Sequence, residues 1–132
     1  MANKFFVDSN VLLYTIANDE TKALRAYDII DQGPFISVQV LNEFTNVARK
    51  KYKLNWNDVR DGLEHVKDCC EVLPLTFGVH LKAVEIAERN LINIYDANIL
   101  AAAELAGCEV LYTEDMNDGQ RIGRVTIRNP FV

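Results

Sequence analysis

The chain has 132 residues, 49% of them hydrophobic and 25% charged, with a formal net charge of −5; this is the size and composition of one globular domain able to build a core, and it excludes a nucleic-acid binder of the uniformly basic kind. An odd count of cysteines, two of them adjacent (Cys69, Cys70), argues against a disulfide framework, and two distant histidines, His65 and His80, argue against a structural zinc site. No apolar stretch approaches the roughly 18 residues that span a bilayer and the start MANKFFVDSN carries no signal-peptide pattern, so a soluble, cytoplasmic protein with no membrane contact is expected.

In chain order, Phe5–Val7 reads as a short strand, and the polar triplet Asp8, Ser9, Asn10 starts a helix through Val11–Ala17. A charged helical segment begins at Thr21, with Leu24, Tyr27 and Ile30 at spacings of three, and stops near Gly33-Pro34. Phe35–Ser37 is the length of a strand, and Ser37 caps a helix to about Lys53 with Val38, Leu41, Phe44, Ala48 and Tyr52 on one stripe. Asn55 or Asn57 caps the next helix, roughly Asp58 to Asp68; Glu71–Leu75 is strand-like; Phe77–Asn90 is a helix. Tyr95–Ala106 is another helix, halted by Gly107, and Glu109–Thr113 and Val125–Arg128 are the last strands. Strands separated by helices of this length predict βαβ units and a mainly parallel sheet flanked by helices, in a single α/β domain over residues 1–132.

In an open parallel sheet, ligands bind at the carboxyl ends of the strands. Asp8 ends the first strand, and Asp115 follows the strand EVLYT within TEDMND. Glu43 lies early in an otherwise apolar helix, and Asp96 opens YDANILAAAELA, sharing a face with Leu100 and Ala103. A helix so apolar is largely buried, and a buried lone carboxylate is costly unless it is paired or holds a metal; one turn beyond Asp96 stands Leu100, not a cation. Each acid also has a plainer reading. Asp8 can be a helix cap, Glu43 and Asp96 can answer helix dipoles, and TEDMND can be a polar turn. Taken together, acids at four element boundaries fit a carboxylate cluster better.

These residues carry a resemblance. VDSN (Asp8, Asn10), SVQVLNEF (Glu43), IYDANILAAA (Asp96), YTED (Thr113, Asp115) and the ending DGQ…VTIRNPF resemble the PIN-domain ribonucleases, most of all the VapC-type toxins of VapBC toxin–antitoxin pairs, over about Lys4 to Phe131. Ser9 stands where the family has threonine and keeps the hydroxyl. Asp115 and Asp118 both follow the strand; the Thr-x-Asp placement favours Asp115, with Asp118 as a supporting ligand.

The resemblance implies a PIN-like fold and metal-dependent endonucleolytic cleavage of RNA. Oxygen-only ligation suits Mg²⁺ or Mn²⁺. Asp8 and Asp96 would be direct ligands, Glu43 and Asp115 would act through water or orient the nucleophile, and Ser9, Asn10 and Thr113 would hold carboxylates or phosphate. It further implies a homodimer and a small antitoxin protein, for which Thr21–Gln32 and Ser37–Lys53 offer helical faces. The basic run Arg49, Lys50, Lys51, Lys53 and the group Arg121, Arg124, Arg128 read either as RNA contacts or as solvated cations; the dipole at the end of the Glu43 helix by itself accounts for cations in the basic run. Two rivals stay open. A haloacid-dehalogenase-like phosphohydrolase also puts an Asp after its first strand but wants a second Asp where Asn10 stands, and a non-catalytic acidic binding module would bind a cation without RNA turnover.

Overall fold

The computed structural model describes residues 4–132. The elements follow as β1 (Phe5–Val7), α1 (Ser9–Leu13), α2 (Glu20–Ile30), β2 (Phe35–Ser37), α3 (Val38–Lys50), α4 (Trp56–Cys69), β3 (Glu71–Leu73), α5 (Phe77–Asn90), α6 (Ile94–Leu105), β4 (Val110–Tyr112), β5 (Arg121–Ile122) and β6 (Val125–Arg128). None of the described helices is long and apolar enough to cross a membrane.

The strands form one sheet in the order β3-β2-β1-β4-β6-β5, parallel except for β5, which runs antiparallel to β6. The chain winds outward from β1 through β2 to β3, then returns to the other side of β1 as β4. The winding therefore reverses between β1 and β4, which opens a crevice beyond their carboxyl ends. Their pairing sets Val7 against Tyr112, and the Asp8 amide donates to the Tyr112 carbonyl at 3.0 Å. Asp8 and Thr113, the next residue of each strand, thus emerge side by side.

The helices begin where polar side chains satisfy their first amides. Asp8, Asp19, Ser37, Asn55, Thr76 and Asn93 are the caps of α1 to α6, each accepting from a first-turn backbone N–H. Val110 begins the strand that follows α6, so that helix returns antiparallel to the sheet and presents its N-terminus to the crevice. Residues 97–103 of α6 are all buried, which makes it the central helix of the core, packed mainly against α5.

Several details differ from expectation. Helix α1 stops at Leu13 instead of Ala17, because Tyr14, Thr15 and Ile16 continue as i→i+3 turns onto Val11, Leu12 and Leu13, and only Ala17 bonds four residues back, to Leu13. Helix α3 ends at Lys50, and Lys53 takes a positive φ of 55° to turn the chain. The residues α2 buries are Ala26, Ile29 and Ile30, leaving Leu24 73% exposed, because steps of three drift around a 3.6-residue helix. Helix α3 likewise buries Val40, Phe44 and Ala48, and Val38 faces outward. The two-residue strand β5 was not expected: it is a polar edge (Arg121) closed onto β6 by Gly123 at φ 60°.

Candidate active site

Asp8 is 3% exposed and Thr113 is fully buried, so the floor of the crevice is polar although it lies inside the core. Every oxygen there is partnered. Asp8 Oδ1 accepts from the Ser9 amide at 2.7 Å, and Oδ2 accepts from the Thr113 hydroxyl at 2.9 Å and from Asn10 Nδ2 at 3.3 Å. Asn10 is the hub: Nδ2 also donates to Thr113 Oγ1 at 2.8 Å and to Asp115 Oδ2 at 3.0 Å, while Oδ1 accepts from the Glu114 amide at 3.2 Å. The Asp115 amide closes the ring onto Thr113 Oγ1 at 3.2 Å. Asp8, Asn10, Thr113 and Asp115 thereby form one network joining the ends of β1 and β4.

Two helices add the other acids. Glu43 comes from α3, which starts directly after β2; its Oε2 accepts from the Ser9 hydroxyl at 3.1 Å, and its Oε1 from Gln39 Nε2, one turn back, at 3.3 Å. Ser9 therefore links the first strand's acid to the helix acid. Asp96 sits in the first turn of α6, with Oδ2 bonded by Asn93 Nδ2 at 2.9 Å and its amide donating to Asn93 Oδ1 at 2.9 Å. This reciprocal cap orients the carboxylate. Asp96 and Asp115 line an open hollow of about 230 Å³ together with Asn93, Asn117 and Gln120.

The electrostatics carry the mark of crowding. Burial first, then the nearby Glu43 and Asp115 charges, push the Asp8 carboxyl up to about 7, against the lowering effect of the Ser9 amide and the Thr113 hydroxyl. Glu43 is raised by burial and then by Asp96 and Asp115, and Asp96 by burial and then by Asp115. Among the described residues, no lysine or arginine forms a salt bridge with any of the four acids. Asp8, Glu43 and Asp96 are thus each held above the ordinary carboxylate range by burial and by the neighbouring acids, and among the described residues no salt bridge offsets this.

That donor set fits a hard divalent cation. It consists of carboxylate, hydroxyl and amide oxygens, with Cys69, Cys70 and Cys108 elsewhere in the fold. Among the described residues no three acids stand close enough to ligate one ion by themselves. Mg²⁺ ordinarily takes one or two carboxylates plus water and substrate phosphate, so this spacing suits it.

Of the expected site residues, the structure brings Asp8, Ser9, Asn10, Glu43, Asp96, Thr113 and Asp115 to the crevice. It does not bring Asp118, whose Oδ1 instead accepts from the Asn129 amide at 2.8 Å and ties the loop to the end of β6. Sequence reasoning passed over Asn93, Gln39 and Glu114. The first was findable as Asn three residues before Asp96 at the head of an apolar helix. Gln39 stands at i−4 from Glu43, a position from which a side chain reaches its neighbour. Glu114 is different: it bonds the Tyr14 hydroxyl and pairs with Lys22 Nζ at 3.1 Å, bracing the crevice wall. No local pattern announces that contact.

With this geometry established, comparison places the chain among known proteins. The family profile described as "PIN domain" matches residues 5–123. Solved structures with the same fold include a toxin–antitoxin complex from Klebsiella pneumoniae (21% identity, covering 96% of this chain and 98% of that one, TM-score 0.71). DNA-bound VapBC from Salmonella typhimurium is similar at 24% identity, 98% and 99% coverage and a TM-score of 0.72. A sarcin–ricin-loop-cleaving toxin from Mycobacterium tuberculosis is similar at 17% identity, 85% and 90% coverage and a TM-score of 0.66. At these identities the likeness is one of fold. No curated protein matches the sequence.

Proposed function

Because the chain belongs to the PIN-domain family, we propose that it is a Mg²⁺- or Mn²⁺-dependent endoribonuclease and the toxin of a VapBC-type toxin–antitoxin pair. The observation that carries this reading is the crevice itself: Asp8, Glu43, Asp96 and Asp115 come from four separate parts of the chain, burial and neighbouring charge raise the proton affinity of Asp8, Glu43 and Asp96, and among the described residues no lysine or arginine pairs with any of the four. When bound, a divalent cation supplies the missing positive charge and the Lewis acidity that activates water and stabilises a phosphodiester in transfer.

The chain's own residues would divide the remaining tasks. Asp8 and Asp96 would hold the ion directly, Asp8 pinned by Ser9 and Thr113 and Asp96 by Asn93. Glu43 and Asp115 would act through water or orient the nucleophile. Asn10 keeps Asp115 in register with Asp8 through one amide group. Ser9 and Thr113 hold carboxylates in place, and Asp118 acts on the loop.

An antitoxin and a second copy of the chain are the proposed partners. On α2, Leu24 (73% exposed) and Tyr27 (39% exposed) leave apolar surface suited to an antitoxin helix, and Phe77 and Leu81 of α5 leave surface suited to a dimer. Native mass measurement of the protein alone and with its neighbouring gene product tests both. The nuclease reading is tested by RNA cleavage with Mn²⁺ and with EDTA, using the wild type, Asp8→Asn and Asp96→Asn. Cleavage is expected only for the wild type with metal; cleavage that survives EDTA or both substitutions refutes it.

A further inference from the structure

A strand cut at the crevice must be held beside it, yet the chain has a net charge of −5. Helix α3 leads away from the acids. Beyond Glu43, Asn46 and Lys50 follow at i+3 and i+7 on the same face, reaching about 10 Å along the axis at 1.5 Å per residue. Asn42, Thr45, Asn46, Arg49 and Lys50 of α3, with Trp56 at the start of α4, line an open hollow of about 480 Å³.

Two features of this hollow bear on what it could hold. Trp56 is 54% exposed, and the Arg49 guanidinium lies over its ring at 4.5 Å, fixed by a bond from Nη1 to the Leu54 carbonyl at 2.8 Å. The surrounding cations have no carboxylate partner: among the described residues Arg49, Lys50, Lys51 and Lys53 form no salt bridge, as is also true of Lys4, Arg60, Arg121, Arg124 and Arg128. The dipole of α3 accounts for cations at its last turn. It does not account for an exposed indole beside them, nor for the amide and hydroxyl lining that connects them to Glu43.

An aromatic ring beside cations that can follow a phosphate backbone is the arrangement that binds single-stranded nucleic acid without reading its sequence. In a duplex the bases stack on one another and cannot reach such a ring. We infer that the hollow along α3 is a single-stranded RNA subsite, in which a base a short way along the strand from the cleaved bond stacks on Trp56 while Arg49 and Lys50 contact the flanking phosphates. The inference rests on the ribonuclease reading and adds to it the place where the strand is held away from the acids: the hollow between α3 and the start of α4.

Trp56 is the only tryptophan, so its emission reports on this hollow alone. Wild-type protein in EDTA is titrated with a short oligouridylate and with an RNA hairpin stem of equal length. Saturable quenching is expected with the single strand and not with the stem, with the Kd weakened roughly tenfold by Arg49→Gln. The dependence of log K on log salt should fall by about 0.7 in Lys50→Gln. With metal present, Trp56→Ala should raise KM for a single-stranded substrate roughly tenfold at unchanged kcat, and Trp56→Phe should restore most of it. An RNA that is cleaved without quenching Trp56, or quenching by an acidic peptide in place of RNA, overturns the subsite and leaves the nuclease reading standing. Quenching with no cleavage of any RNA supports the subsite and overturns the nuclease reading instead.

Discussion

Replacing Asp8 by Asn should abolish cleavage while making the metal-free protein more stable at pH 8. Asp8 is 3% exposed and its folded-state carboxyl is pushed up to about 7 from an ordinary 3.8. The folded protein therefore holds this proton more tightly than the unfolded chain does. The stability this contributes is fully present below about pH 4 and is lost as the pH rises through about 7. At roughly 1.4 kcal/mol per pH unit the loss comes to about 4 kcal/mol. Asn carries no charge and escapes it, but its NH₂ replaces the Oδ2 that accepts from Thr113 and Asn10, a cost of roughly 2 kcal/mol for the two bonds. The net gain at pH 8 is about 2 kcal/mol, a Tm rise of roughly 6–8 °C for a domain of this size; at pH 4 the variant should be no more stable than the wild type. Thermal unfolding of both proteins in EDTA between pH 4 and 8 measures this. A stability difference that does not change with pH would mean that Asp8 is not the strained carboxyl the geometry makes it, and the reasoning fails.

Thr113→Val removes the hydroxyl that bridges Asp8, Asn10 and Asp115; it should cost about 1–3 kcal/mol in urea unfolding and depress cleavage, and Thr113→Ser should recover both. Mn²⁺ binding should release protons near pH 6.5 and tighten as the pH rises to about 7, since the ion competes with the proton on Asp8; calorimetry in buffers of different ionisation heat detects this, and binding without proton release counts against Asp8 as a ligand. Gly123→Ala should destabilise by roughly 1 kcal/mol with metal affinity unchanged, because φ is +60° there and strains any side chain, whereas the Glu104 carboxylate an added Cβ would meet is the end of a flexible side chain that can move aside. An alanine variant of full stability refutes that strain.

Much of the fold was legible because local physics decides it. Phe5–Val7 and Phe35–Ser37 are short apolar runs bounded by polar residues, and Ser37 and Asn55 announce helix starts by satisfying first-turn amides. What was hidden depends on partners distant in the chain. The strand β5 exists only because β6 stands beside it, and the inward faces of α2 and α3 were legible only in part: Ile30, Phe44 and Ala48 are buried as expected, but Leu24 and Val38 are not, because a spacing of three drifts off any one face within two turns.

The sequence by itself determined which residues would bear charge where the chain passes from one element to the next: Asp8 after a strand, Glu43 and Asp96 in the first turns of apolar helices, Asp115 after another strand. Those placements are local, set by periodicity and capping. Only the tertiary structure decided that they meet. The winding reverses between β1 and β4, which sets Asp8 beside Thr113 across more than a hundred residues. It also decided that Asn10 bonds Asp115 while Asp118 is drawn away to the Asn129 amide. The Thr-x-Asp spacing favoured Asp115, but the physical distinction between two aspartates three apart on a loop lies in partners from elsewhere in the chain: Asn10 for the one and Asn129 for the other.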